Sequence, residues 1–254
     1  MQFRYFFYLL FTLLSFDGLL GYYTNSIDRA LDNLFSDEIN KNILIDYFDQ
    51  MGSYRDWKQV TSVKFDGNII FEDTSYKLSI YKKFPDKIKV TIQELKQSYP
   101  KVTQIMNGPK VHCFIENAEN NSQMIDPIFN LKEDLHIMPK LMHLLMIENN
   151  SLQVINKSNL NSETVEIELL HLINRNIYKF SIDKASKAVT QYSINDYMNE
   201  TNVFLEDTIS NGRLKYPRKI KISTEAMKAE LFLNKLSTNV GLTSSFFEAS
   251  DKTL

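Results

Sequence analysis

Glycine and proline are scarce, at seven and six residues of 254. The glycines form no Gly-x-Gly-x-x-Gly, Gly-x-x-x-x-Gly-Lys or Gly-x-Ser-x-Gly pattern, which excludes the commonest dinucleotide, nucleotide and hydrolase loops. So few prolines leave no low-complexity linker, and nothing marks an internal domain boundary. The single cysteine, Cys113, excludes an intrachain disulfide, a Cys-x-x-Cys redox pair and a multi-cysteine zinc site. Excess positive charge is also missing: 29 Lys and Arg against 31 Asp and Glu give a net charge of −2 at pH 7. Without a bulk positive field, nucleic acid is not an expected partner.

Histidine is equally sparse, and His112, His136, His143 and His171 form no His-Glu-x-x-His or His-x-x-x-His arrangement. On one helix His136 and His143 would stand about 10 Å apart along the axis, too far to share a metal ion without other ligands. His112 and Cys113 are neighbours on a predicted strand, so their side chains point to opposite faces and cannot act as base and nucleophile. Glu166 and Glu168 read as a solvated strand face rather than a carboxylate pair. No cofactor, no metal and no enzymatic activity are expected.

The N-terminal residues have a different character. Arg4 precedes the uncharged run from Phe6 to Phe16, and the small residue Gly21 follows. A charge, a short apolar core and a small residue form the layout of a secretory signal, and the core is too short to span a bilayer as a helix. Residues 1–21 are therefore expected to be a signal peptide and 22–254 one domain outside the cytoplasm. No cysteine near Gly21 offers a lipid-attachment site.

From Ser36 to Met51 the apolar positions Ile39, Ile43, Leu44, Tyr47, Phe48 and Met51 recur at three and four, which predicts an amphipathic helix with Ser36 as its cap and Gly52 past its end. The period then becomes two. Tyr76, Leu78 and Ile80, and Ile88, Val90 and Ile92, alternate with polar neighbours on either side of a Pro85-Asp86 turn. Val102 to Asn107 and Val111 to Ile115 flank an Asn107-Gly108 turn, and strands around Ile167 and Phe180 flank Asn174 to Asn176. Further strands are predicted over Val189 to Ile194, Asn202 to Ile209, Arg218 to Ser223 and Lys228 to Leu236. About ten strands with few helices predict an antiparallel meander, sandwich or barrel and exclude a parallel α/β sheet. One apolar segment, Glu133 to Ile147, has helical spacing, with Pro139 kinking it or starting its second part. Its Met138, Met142 and Met146 suit either plain core or a surface that adapts to apolar guests.

Four blocks then carry a family resemblance. They are Leu44 to Gly52 followed by Val60 to Ile70; Tyr81-Lys82-Lys83-Phe84-Pro85-Asp86-Lys87-Ile88-Lys89; Phe180-Ser181-Ile182-Asp183; and Gly212 to Ile222 with Leu231 to Phe246. In this order the chain resembles the LolA-like carriers, the outer-membrane lipoprotein-sorting proteins of the bacterial periplasm. The resemblance implies a mainly β fold with few α helices, an incomplete, half-open antiparallel β-barrel with a helical lid. It implies a soluble, monomeric periplasmic carrier that shields lipoprotein acyl chains, meets inner- and outer-membrane transfer proteins, and performs no catalysis. By that reading Leu78, Ile80, Ile88 and Val90 line the sheet, and Met138, Leu141, Met142 and Leu145 belong to the lid. Lys89 is then a polar gate or head-group contact, or else a solvated strand lysine. The resemblance also makes Gly67 part of one strand, although Asp66-Gly67 alone reads as a hairpin turn. A different lipid or apolar molecule on the same fold, and a non-transporting module that presents a sheet edge, remain alternatives.

Overall fold

A computed structural model describes residues 31–32, 34–35, 38–71, 73–95, 101–116, 122–124, 138–159, 163–196, 200–225 and 228–248. The expected signal segment 1–21, the expected cap Ser36, His136 and the start of the apolar segment, 133–137, lie outside the described residues.

Thirteen strands form one sheet. In chain order they are β1 (Ser62–Phe71), β2 (Thr74–Lys83), β3 (Lys87–Glu94), β4 (Lys101–Asn107), β5 (Lys110–Glu116), β6 (Ser122–Met124), β7 (Leu152–Asn159), β8 (Thr164–His171), β9 (Ile177–Asp183), β10 (Val189–Asn195), β11 (Glu200–Asn211), β12 (Leu214–Ser223) and β13 (Lys228–Thr238). Every pairing is antiparallel, and the spatial order β6-β5-β4-β3-β2-β1-β13-β12-β11-β10-β9-β8-β7 joins two meanders through β1 and β13. The sheet does not close, because β6 and β7 end it on opposite edges. This is the expected half-open, mainly β architecture.

Gly67 sits inside β1, at a register shift between Asp66 and Gly67 against β13. A Cβ at Gly67 would lie 2.0 Å from the Phe232 carbonyl oxygen. The glycine therefore serves close backbone approach at a bulge rather than a hairpin turn.

Helix α1 (Glu38–Met51) buries Ile43, Leu44, Tyr47, Phe48 and Met51, the stripe that its sequence spacing predicts. Gly52, at φ 99°, ends it, and a Cβ there would meet the Arg213 carbonyl oxygen at 2.5 Å. The short helix α2 (Tyr54–Lys58) follows, capped by the Ser53 hydroxyl, which accepts from the Asp56 amide at 3.3 Å. It brings Trp57 fully inside, where the indole N–H donates to the Met51 carbonyl at 2.8 Å. Helix α3 (Lys140–Ile147) begins directly after Pro139, so the proline starts the helix rather than kinking it.

Helices α1, α2 and α3 cover one face of the sheet, the inner face. Their apolar side chains join Phe65, Ile69, Leu78, Ile167, Phe180, Leu231 and their neighbours in one large core. The outer face is mostly polar, and among the described residues it carries one small apolar cluster of Ile105, Phe114 and Phe247 at a 3-10 turn, Ser244–Phe247.

Candidate binding site

The structure places the eight apolar residues expected to hold the guest, and Lys89. Leu78, Ile80, Ile88 and Val90 lie on the inner face, and Met138, Leu141, Met142 and Leu145 lie over it, all 6% exposed or less. They form part of one packed core. Lys89 lies on the outer face, opposite Ile88 and Val90: it pairs across β4 with Ile105 and across β2 with Tyr81. Its ammonium stands 4.5 Å from the Phe246 ring centroid and 3.5 Å from the Phe246 carbonyl oxygen. Desolvation holds the Lys89 ammonium below its ordinary pKa. Cys113 is buried and His112 half-buried on adjacent, opposed positions of β5. Glu166 differs from its solvated expectation: it is 6% exposed, because the Lys179 ammonium at 2.7 Å lies against it.

Free space on the inner face lies on the other half of the sheet, along β9 to β12. Beneath α1 and α3, a pocket of about 50 Å³ is bounded by Tyr47, Leu141, Phe180, Tyr192, Tyr216 and Leu231. It is room for a few water-sized groups. Burial pushes the Tyr47 and Tyr216 phenols far above their ordinary pKa, so both stay neutral. Next to it opens a groove of about 560 Å³, lined by Met51 of α1, Ala188 to Thr190 at the start of β10, and Asp207, Thr208 and Arg218 of β11 and β12. Tyr47, Val189, Leu205 and Pro217 line both spaces, so the groove leads directly onto the apolar pocket. Its volume lies in the range of small-molecule sites, and apolar walls with a few convergent polar groups are their usual composition.

No protein-family model matches the sequence, and no curated protein matches it. By structure the chain is similar to a DUF1329 family protein from Desulfovibrio piger, at a TM-score of 0.51 and 10% identity, over 82% of this chain and 98% of that one. That likeness shows the fold. The chain is also similar to MucB, at a TM-score of 0.28 and 10% identity, and to MucB in a complex of Pseudomonas aeruginosa MucA and MucB, at 0.26 and 8%. These matches take in 83% of this chain but only 62% and 61% of those chains, and at such scores they carry no argument about function.

One polar cluster ties the helical cover to the sheet. The Glu148 carboxylate, just past α3, meets His143 Nε2 of α3 and His171 Nε2 at the end of β8, each at 3.1 Å. His171 Nδ1 accepts from the Asn174 amide at 3.3 Å, which leaves its Nε2 as the N–H that donates to Glu148. The hydrogen bond from His143 holds the Glu148 carboxyl below its ordinary pKa. Among the described residues no group of three or more His, Cys, Asp or Glu is placed to hold a metal ion. This latch was not legible in the sequence, because His143 and His171 are 28 positions apart and meet only through the fold.

The groove residues were equally hidden. Tyr216-Pro217 belongs to a block of the family resemblance, but Asp207 and Arg218 stand in no motif. They come together because β11 pairs with β12 so that Glu206 faces Lys219 and Thr208 faces Pro217.

Proposed function

We propose that the protein is a carrier that takes up an apolar chain between the inner face of its sheet and the helices over that face. In its finer form the reading is a periplasmic carrier that shields lipoprotein acyl chains, passes them toward the outer membrane and performs no catalysis. The observation that supports it is the groove of about 560 Å³ that runs onto the apolar pocket beneath α1 and α3. Burial of a chain contributes about 0.8 kcal/mol per methylene, so an apolar wall holds a guest without specific polar contacts. The pocket's free volume of about 50 Å³ is too small for a full chain. Loading therefore moves α1 or α3, and the Glu148 latch sets the resistance of α3. The resemblance in sequence to LolA-like carriers supports the same reading.

Native mass spectrometry of the protein purified without detergent, followed by denaturation, tests it. Release of a triacylated lipopeptide is the expected result for the lipoprotein form, and release of a free lipid assigns the same carrier a different cargo. A protein that is empty and takes up no added fatty acid overturns the proposal.

A further inference from the structure

On β11 and β12 the groove is lined by Leu205, Asp207, Thr208, Pro217 and Arg218. Only Asp207 and Arg218 among these carry charge. A strand face turned toward an apolar core normally excludes charge, and these two break the rule at adjoining positions on neighbouring strands. Both are exposed, and both line the groove. Asp207 takes a left-handed backbone, φ 55°, a conformation that costs energy for a residue with a side chain. Asp46 of α1 and Lys187 of the β9–β10 turn, next in the chain to the lining residues Tyr47 and Ala188, lie 3.9 Å apart. The groove thus has one anionic and one cationic group on its sheet wall, with apolar lining from Met51, Val189 and Leu205.

We propose that this groove binds a single-chain zwitterionic phospholipid: Arg218 receives the phosphate, Asp207 receives the ammonium, and the chain runs past Val189 and Leu205 toward Phe180. The proposal rests on the carrier reading and adds the chemistry of the head group. A guanidinium presents its N–H donors in a fork that fits phosphate oxygens, and a carboxylate accepts from a primary ammonium. A head with only one sign of charge would meet one favourable and one repulsive partner. A volume of about 560 Å³ suits one chain with its head rather than a two-chain lipid.

The test is titration of the full chain with three probes of equal chain length, each below its micelle concentration: a lysophosphatidylethanolamine, a lysophosphatidate and an alkylamine. Binding is read by displacement of an apolar dye. The lysophosphatidylethanolamine is expected to bind about tenfold tighter than either of the others, the size of one charge-assisted hydrogen bond. Arg218→Glu is expected to abolish the preference over the alkylamine by weakening both phosphate-bearing probes about tenfold, while the preference over the lysophosphatidate, which rests on Asp207, persists, and Arg218→Lys is expected to restore most of the lost preference for the charge alone. Equal binding of the three probes, or a preference over the alkylamine that survives Arg218→Glu, overturns the head-group assignment and leaves the carrier reading standing. Failure of all three probes, and of dye, to bind overturns both.

Discussion

The two faces of the sheet solve the same packing problem differently. Alternation gives each strand an apolar side and a polar side, and the inner side is closed by α1, α2 and α3 over a core that runs the width of the sheet. The outer side is held by ion pairs such as Lys64–Asp66 at 2.8 Å, Lys179–Glu166 at 2.7 Å and Lys219–Glu206 at 3.1 Å. Its one apolar cluster has a cover of a few residues, tied down when the Lys83 ammonium donates to the Leu242 carbonyl at 2.7 Å. The difference separates stability from function. Stability is concentrated where helices and sheet interdigitate, and the groove opens only where the helical cover stops.

The largest effect that can break this contrast is at Gly67. Valine there would drive its Cβ into the Phe232 backbone, which cannot move without breaking the β1–β13 pairing that joins the two meanders. Gly67→Val is expected to lower the unfolding free energy by more than about 4 kcal/mol, read from a urea melt followed by circular dichroism. A variant with wild-type stability would show that the bulge does not hold the halves together. Next in size is a pair of truncations, one on each face. Phe180→Ala, on the inner face against Tyr192 at 5.4 Å between ring centroids, is expected to cost about 3 to 5 kcal/mol. Phe247→Ala, under the outer 3-10 turn, is expected to cost about half as much, because that short cover can settle into the space. Equal costs would make the outer cluster as integral as the inner core.

A smaller effect sharpens the contrast at the edge of the helical cover. Glu148→Gln removes the charge that His143 and His171 share and is expected to cost about 1 to 2 kcal/mol. The sign of the pH dependence follows from a folded pKa below the unfolded one. The stabilisation from Glu148 is present above its ordinary carboxylate pKa and is lost as the pH falls through the lower folded value. Besides the two histidines, Lys140 at the start of α3 acts on Glu148 and favours the same charged form. Wild type and Glu148→Gln are therefore expected to converge in urea midpoint on acidification, and midpoints that stay parallel would remove the latch. The same substitution is expected to raise the rate of apolar dye uptake, since it loosens α3.

These contrasts were legible in the sequence to different depths. Half-buried antiparallel strands alternate, so β2, β3, β8 and β9 follow from the period and β4 and β5 from the Asn107-Gly108 turn between them, while β10 to β13 were expected as shorter strands. The edge strand β7 does not follow from the period. Its bulge between Val154 and Asn156 sets Val154 beside the exposed Ile155, and two adjacent apolar residues break the period of two. The strand β6 and helix α2 are too short, at three and five residues, to show any period. Lys82 lies on the inner face at 2% exposure, where alternation alone asks for an apolar residue. The lining of the sheet was legible in part: Leu78, Ile80, Ile88 and Val90 are core, but the groove and its apolar pocket lie along β9 to β12, and of the eight apolar residues singled out only Leu141 borders them. Two charges on different strands form a site only through register, which no single-strand pattern encodes.

The smallest effect concerns Lys89, which the two faces treat in opposite ways. Were it turned inward it would stand among apolar residues; turned outward it lies half-buried under Phe246, with Lys101 near enough to oppose its charge and Glu116 to favour it. Two effects then oppose each other, and desolvation is the larger. The ammonium over the Phe246 ring contributes about 0.5 to 1 kcal/mol, and partial desolvation of the same charge offsets more than that. Lys89→Met keeps the length of the side chain and removes both terms, so it is expected to change the unfolding free energy at neutral pH by less than about 1 kcal/mol. The folded pKa lies below the unfolded one, so the cost of the charge is present below the folded value and disappears as the pH rises through it toward the unfolded value. Wild type is therefore expected to gain on Lys89→Met between neutral and alkaline pH, measured as the difference of their urea midpoints. A loss well above 1 kcal/mol on Lys89→Met would mean that this lysine anchors the outer cover rather than merely tolerating it.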